Sequence, residues 1–317
     1  MAGLAAPMRR RLYALALGLV GALAAIGAAE ATFRRDEASV VYLWDSGRRF
    51  ATRPGIGGAN AESFRERDGM RARTQGVRRR VAALGDSLTW GTGPAEEAWP
   101  RLAEGHLGAE WEVLNFSHYG YDIAQSNAAL REHAWAYTPD VVVYAAYTND
   151  PLPSTWIDLA GRPVWIARDG LLPSPLRRAS AIARRVEGAI LAPTVDDAPD
   201  WAFYRAELAA MKADADARGV PLLVLGLVPW VLAAPDRGAC VADPARCAAH
   251  AAVADEQARI SAELGLPHLP VLPAWRAAGV DLAPPDPSDW QHPGRAGHAV
   301  IAEVARGWLA AWDAGAP

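Results

Sequence analysis

Residues 81–89 read Val81-Ala82-Ala83-Leu84-Gly85-Asp86-Ser87-Leu88-Thr89. A short apolar run closed by glycine reads as a strand buried on both faces. Gly85 permits a tight exit from that strand. The hydroxyl of Ser87 then stands at the carboxyl end of the strand, where open α/β sheets bind ligands, with its main-chain N–H pointing into the same crevice. Taken alone, Gly-Asp-Ser is also an ordinary strand-to-loop turn, so its surroundings must decide.

Outward from this stretch the chain alternates strands and helices. Val113–Phe116, Val141–Ala145 and Leu222–Leu227 are further apolar runs of strand length, and His268–Leu272 is a weaker fifth. Ile123–Tyr137, Ala202–Arg218, Ala251–Leu264 and Ala296–Trp312 read as helices. Such alternation predicts an α/β domain over residues 80–317 with a parallel central sheet covered on both faces. Residues 30–79, rich in Arg and Gly, read as an irregular lead-in wrapped on that domain. Residues 151–200 read as an insertion. In it, Ala160-Gly161-Arg162-Pro163 and Asp169-Gly170 bracket Val164–Ile166 as a small hairpin, followed by a helix near Leu176–Leu191.

Asp289-Trp290-Gln291-His292-Pro293 precedes the last helix. A three-residue separation lets the carboxylate of Asp289 hold one nitrogen of His292 protonated, leaving the other to take a proton from a serine. The alternative is a helix-capping Asp beside a surface His, which is plausible for either residue singly and less so for both with a serine at the first strand. Acyl transfer also needs donors aimed where an oxyanion forms. The N–H groups of Ser87 and Gly120 and the side-chain amide of Asn149 follow three strand ends and would supply three; Gly120 as a turn glycine and Asn149 as a helix cap are the plainer readings. Asn115-Phe116-Ser117 spells a glycosylation acceptor, but it falls at a buried strand end.

Thirty-two Lys and Arg against 36 Asp and Glu give a net charge of −4, which leaves no basic excess for nucleic acid. Half the 317 residues are apolar, so a sizeable core can form and disorder is excluded as the main state. There is no CxxC pair and no HExxH, and His250, His268 and His298 are not spaced as a site, so no metal site is expected. At the other end, residues 1–11 form a basic N-terminus carrying Arg9, Arg10 and Arg11, followed by an uninterrupted apolar run, Leu12–Ala29. As a helix this run spans about 27 Å, close to the ~30 Å of a bilayer core. A transmembrane signal anchor fits the length; a cleavable signal peptide would use Ala29-Glu30-Ala31. Either reading exports the domain, anchored at the inner membrane with the catalytic part periplasmic or at the cell surface, or secreted. In an oxidising compartment Cys240 and Cys247 could close a small ring; two unpaired loop thiols are the alternative.

With four blocks in order, the chain resembles the SGNH or GDSL-type serine hydrolase family. Ser87 in Gly-Asp-Ser-Leu resembles the nucleophile block, Gly120 and Asn149 the two oxyanion blocks, Asp289 and His292 the Asp-x-x-His block, and Gly297-His298 the Gly-His that often follows. The third block usually begins with glycine, where Tyr147 stands here and would narrow the acyl pocket. The resemblance covers roughly residues 80–312. It implies a three-layer α/β/α flavodoxin-like sandwich and a serine esterase with Ser87, His292 and Asp289 as triad, acting through an acyl-enzyme without a cofactor.

The substrate is read less directly. Tryptophan outnumbers Tyr and Phe singly (13 against 8 and 5), and Trp90, Trp156, Trp165 and Trp290 lie near the blocks or in the insertion. Indoles stack on sugar rings, although Trp is highly buried on average. With Tyr147, Trp90 and Trp290 are taken as substrate contacts on an O-acylated carbohydrate or a lipid ester. An O-acyltransferase on a cell-surface glycan would share every one of these residues, and a noncatalytic carbohydrate-binding or scaffold protein would tolerate their loss.

Overall fold

The computed structural model describes residues 6–38, 42–45, 49–152, 154–158, 163–167, 176, 180–183, 186, 198–236, 238–286 and 288–315. Five strands form a parallel sheet: β3 (Arg79–Gly85), β4 (Trp111–Asn115), β5 (Val141–Ala146), β8 (Leu222–Gly226) and β9 (His268–Pro270), in the order β4-β3-β5-β8-β9. Continuous apolar runs form these strands because both faces are covered. Side chains alternate between them. Ala82, Leu84, Leu114, Val142 and Tyr144 face a layer built on α4 (Ile123–Glu132) and α5 (Trp201–Asp216). Val81, Ala83, Val113, Val143 and Leu225 face α3 (Trp99–Leu107) and α9 (Arg295–Gly315). The outcome is the expected three-layer sandwich with helices on both sides of a parallel sheet.

Some boundaries differ from the sequence reading. The helix expected over Ile123–Tyr137 ends at Glu132 and gives way to a 3₁₀ turn at Ala134–Tyr137. Asp122 starts it with a capping box, its carboxylate accepting the Gln125 N–H while the Gln125 side chain accepts the Asp122 N–H. The helix expected from Ala251 starts earlier, as α7 (Pro244–Glu263), because Asp243 caps it and Pro244 fits its first turn. The fifth strand stops at Pro270, and α8 (Leu272–Ala278) begins two residues later. Cys240, in α6 (Gly238–Ala242), is joined to Cys247 of α7 by a disulfide.

The lead-in is more ordered than its composition indicates. It contributes a hairpin, β1 (Tyr42–Asp45) with β2 (Arg49–Thr52), and buries Phe50 and Phe64 in the core. Arg80 and Glu112 form a buried ion pair, and the Arg80 guanidinium also donates to the carbonyls of Arg71, Ala72 and Tyr137. That arrangement satisfies a charge that would be costly if left alone. In the insertion, β6 (Ser154–Asp158) and β7 (Pro163–Ala167) pair antiparallel as a hairpin. The turn residues 160–162 and 169–170, and most of the helix expected near 176–191, lie outside the described residues. The N-terminal helix, α1 (Ala6–Ala38), is 33 residues long and overruns the apolar run at both ends. Within it, Tyr13–Arg34 is long and apolar enough to cross a membrane, and none of its apolar window is buried.

Candidate active site

Adjacent strand ends assemble the site. Gly85 pairs with Ala145 across β3 and β5, and the carbonyl of Gly85 accepts the His118 N–H from the loop after β4. Gly85 carries φ +148, and a Cβ there would lie 2.6 Å from Thr89 Oγ1 and 2.9 Å from the Ala145 carbonyl, so no side chain fits. Asp86 then caps the short helix α2 (Ser87–Trp90) by accepting the Leu88 N–H at 2.9 Å. Asn115 ties the next strand end to the same turn: its Nδ2 donates to the Thr89 carbonyl at 2.9 Å, and its Oδ1 accepts from Ser117. This engagement explains why the glycosylation triplet is interior.

Ser87 meets the C-terminal loop there. His292 Nε2 lies 2.7 Å from Ser87 Oγ, and His292 Nδ1 lies 2.8 Å from Asp289 Oδ2. The other carboxylate oxygen accepts the main-chain N–H groups of Gln291 and His292, both at 3.0 Å, so Asp289 is held at both oxygens. Burial opposes the charge on Asp289, but the hydrogen bonds from the His292 ring and these N–H groups outweigh it and hold the carboxyl below its usual range. A carboxylate–imidazole–hydroxyl chain of this kind fixes one tautomer and lets the far nitrogen accept the hydroxyl proton.

Gly120 and Asn149 follow the ends of β4 and β5, the two strands flanking β3. Gly120 adopts φ +68, a left-handed turn between His118 and Tyr121. Asn149 Oδ1 is buried without a hydrogen-bond partner, so that oxygen caps no helix. Behind them, Asp150 Oδ2 accepts the Tyr144 hydroxyl and the Tyr147 N–H, both at 2.6 Å, and burial pushes its carboxyl well up. Asp86 is likewise raised by burial, to about 6, against the opposing pull of the Leu88 N–H and of His292.

The expected substrate contacts divide. Trp90 is only 1 % exposed, wedged among His118, Tyr119 and the Arg65 guanidinium. Tyr147 is 3 % exposed, its hydroxyl donating to Gln291 Oε1 at 3.3 Å. Both therefore support the site from within instead of facing a ligand, because the end of α2 and the exit of β5 turn these rings into the core. Trp290 is half-buried, packed against His250 and beneath Arg246. Nothing is described of the Trp156 and Trp165 side chains.

Two residues near the site escape the sequence reading, and a third, His298, enters it only through Gly297-His298. Arg65, from the lead-in, donates to the carbonyls of Trp90, Gly91 and Gly93, pinning the segment after Ser87. Trp230 donates through Nε1 to the Asp289 carbonyl at 2.9 Å. His298 is buried with neither ring nitrogen hydrogen-bonded, and burial, then the charges of His292 and Arg65, pull it down to about 4. Only His298 carried a signal, as part of Gly297-His298; the other two act across long sequence separations. Among the described residues no group of three or more His, Cys, Asp and Glu could hold a metal ion.

A model of the GDSL-like lipase/acylhydrolase family matches residues 83–300. Among solved structures, the chain is similar to an alpha/beta hydrolase enzyme from the metagenome of Lake Arreo, Spain, at 18% identity over 76% of this chain and 99% of that one, with a TM-score of 0.46. It is similar to a psychrotrophic esterase from Pseudoalteromonas sp. at 16% identity over 74% and 97%, TM-score 0.44. A GDSL-like lipase from Bacteroides thetaiotaomicron aligns at 15% identity over 73% and 87%, TM-score 0.43. No curated protein sequence matches significantly.

Proposed function

The chain belongs to the GDSL-like lipase/acylhydrolase family and is a hydrolase acting on ester bonds, and from that premise we propose that Ser87 is its nucleophile, His292 its general base and Asp289 the carboxylate that orients the imidazole. One observation carries this reading: the unbroken chain from Asp289 Oδ2 through both His292 nitrogens to Ser87 Oγ, at 2.8 and 2.7 Å.

His292 Nε2 takes the Ser87 proton as Oγ attacks the ester carbonyl. Asp289 stabilises the imidazolium without itself taking the proton. The negative charge that develops on the carbonyl oxygen is met by the N–H groups of Ser87 and Gly120 and by the Asn149 amide. His292 returns its proton to the departing alkoxide, leaving an acyl group on Ser87. Water, deprotonated by the same imidazole, then attacks the acyl-enzyme, and the acid leaves as Ser87 recovers its proton.

The substrate is an O-acylated carbohydrate or a lipid ester, with Trp290 at the rim as a stacking surface. The helix α1 is a membrane anchor that holds the catalytic domain outside the cytoplasm; its exposed apolar window supports the anchor, and Arg9, Arg10 and Arg11 ahead of it support the orientation.

A fluorophosphonate probe tests the chemistry. It should label Ser87 in the parent, and labelling should fall at least a hundredfold in His292→Ala, the scale on which general-base catalysis operates, about 10²–10⁴. A folded Ser87→Ala protein hydrolysing esters at the parent rate would overturn the mechanism. A C-terminal reporter enzyme active only outside the cytoplasm tests the location, and activity from a cytoplasm-only reporter instead would reject it.

A further inference from the structure

Glu30 is the first charged residue after the apolar run Leu12–Ala29, inside the stretch long enough to cross a membrane. Its carboxylate reaches a segment 150 residues downstream. Oε2 accepts the Ser180 hydroxyl at 2.9 Å and the Ile182 N–H at 3.0 Å; Oε1 accepts the Ala181 N–H at 2.9 Å and the Arg34 side chain at 2.7 Å. Ser180 Oγ in turn accepts the Ala183 N–H at 3.1 Å, and Ala181 is fully buried. A carboxylate at the edge of a hydrocarbon layer is costly unless donors replace water, and here the insertion supplies three of four.

Two further features mark what this part of the insertion faces. Leu176 and Val186, on either side of the docked turn, leave nearly half of their surface exposed. In sequence, Arg177 and Arg178 precede the turn and Arg184 and Arg185 follow it. Exposed apolar side chains interspersed with arginines suit an element lying in the headgroup plane of an anionic bilayer. The insertion also rises from the site's own rim: Pro151 follows Asn149 by two residues, and its carbonyl accepts the Asp200 N–H at 2.8 Å.

We propose that the turn Ser180–Ala183, with Leu176 and Val186 on either side of it, is a membrane-surface element docked through Ser180–Ile182 onto Glu30 of a retained N-terminal helix, and that its partner is the anionic headgroup layer beside that helix. The proposal rests on the anchor reading above and not on the chemistry assigned to Ser87. Cleavage at Ala29-Glu30-Ala31 would remove Glu30 and strip the Ala181 and Ile182 N–H groups of their acceptor, so the contact requires the uncleaved chain.

The test uses the full chain recovered from membranes and placed in nanodiscs of phosphatidylcholine with phosphatidylglycerol. Peptide mass analysis should find residues preceding Thr32; a mature chain starting at Thr32 overturns the proposal. Hydrogen exchange over 176–186 should speed up about tenfold in Glu30→Ala, the scale of one or two lost hydrogen bonds, and less in Glu30→Gln, which keeps an acceptor. Unchanged exchange overturns the contact. An environment-sensitive fluorophore on Leu176→Cys should be quenched by a nitroxide lipid, more so with phosphatidylglycerol than without. Quenching by aqueous iodide alone overturns the surface assignment. Fluorophosphonate labelling of Ser87 in the same samples should match the parent in Glu30→Ala. Loss of labelling in every sample, the parent included, would sink the esterase mechanism and leave the membrane contact standing.

Discussion

Trp230 grips the loop between Asp289 and His292 from one side: its Nε1–H donates to the Asp289 carbonyl at 2.9 Å, and its own N–H donates to the Gln291 carbonyl at 3.2 Å. The Asp289–His292 pair is thus positioned by a residue that touches neither of their functional atoms. Trp230→Phe keeps the ring packing but leaves the Asp289 carbonyl without this donor, a loss of about 1–2 kcal/mol. We expect kcat to fall about tenfold with KM nearly constant, and fluorophosphonate labelling of Ser87 to slow in parallel. A variant that only melts earlier, with an unchanged rate per folded molecule, would reduce Trp230 to a packing residue.

Asn149→Ala should cost about 3 kcal/mol of transition-state stabilisation, at least a hundredfold in kcat. Asn149 Oδ1 makes no capping bond, so melting temperature should change little. Early melting with turnover retained would instead assign Asn149 to the turn.

Asp86 offers a test by pH. Burial raises its carboxyl from 3.8 to about 6. Between those values the native state keeps a proton that the unfolded chain releases, so unfolding free energy falls as pH rises through that window, by about 3 kcal/mol in all. Asp86→Asn retains an acceptor for the Leu88 N–H and removes the titration. Its stability relative to the parent should therefore rise between pH 4 and pH 7 in paired denaturant titrations. A difference constant across that range would mean that Asp86 is not held protonated by its surroundings.

Gly85→Ala should destabilise the fold by about 1–3 kcal/mol, the usual cost of forcing atoms into a packed site. The added Cβ meets both Thr89 Oγ1 and the Ala145 carbonyl, so β3 must move away from β5. Urea midpoints check the stability, and the Ser87 labelling rate reports whether the hydroxyl has shifted. A parent-like midpoint would show that the two strands can separate freely.

The sheet was legible because parallel strands covered on both faces are written as unbroken apolar runs, such as Val141–Val143 before Tyr144. Helix α3 was not recognised, since Pro100 and Gly105 look like breakers; Pro100 sits in the first turn, where its missing N–H costs nothing. Ser87, Asp289 and His292 were legible because each lies in a short motif whose neighbours define its setting. Arg65 and Trp230 were not, since the carbonyls they hold lie 25 to 28 and 59 positions away and no local pattern records such pairings. Trp90 and Tyr147 were misjudged for a related reason: position beside a motif does not tell which way a ring turns.

The bond from the Asp200 N–H to the Pro151 carbonyl makes the two ends of a long excursion immediate neighbours. To the sheet, everything between them is equivalent to a tight turn, and chain closure costs only about 0.6 kcal/mol for each doubling of length. The stretch can accordingly be shortened, extended or replaced by an unrelated sequence during evolution while Ser87 and His292 keep their alignment. Diversification within such a scaffold need not begin with the strand-end residues at all; it can proceed by swapping a cassette whose splice points are already in contact.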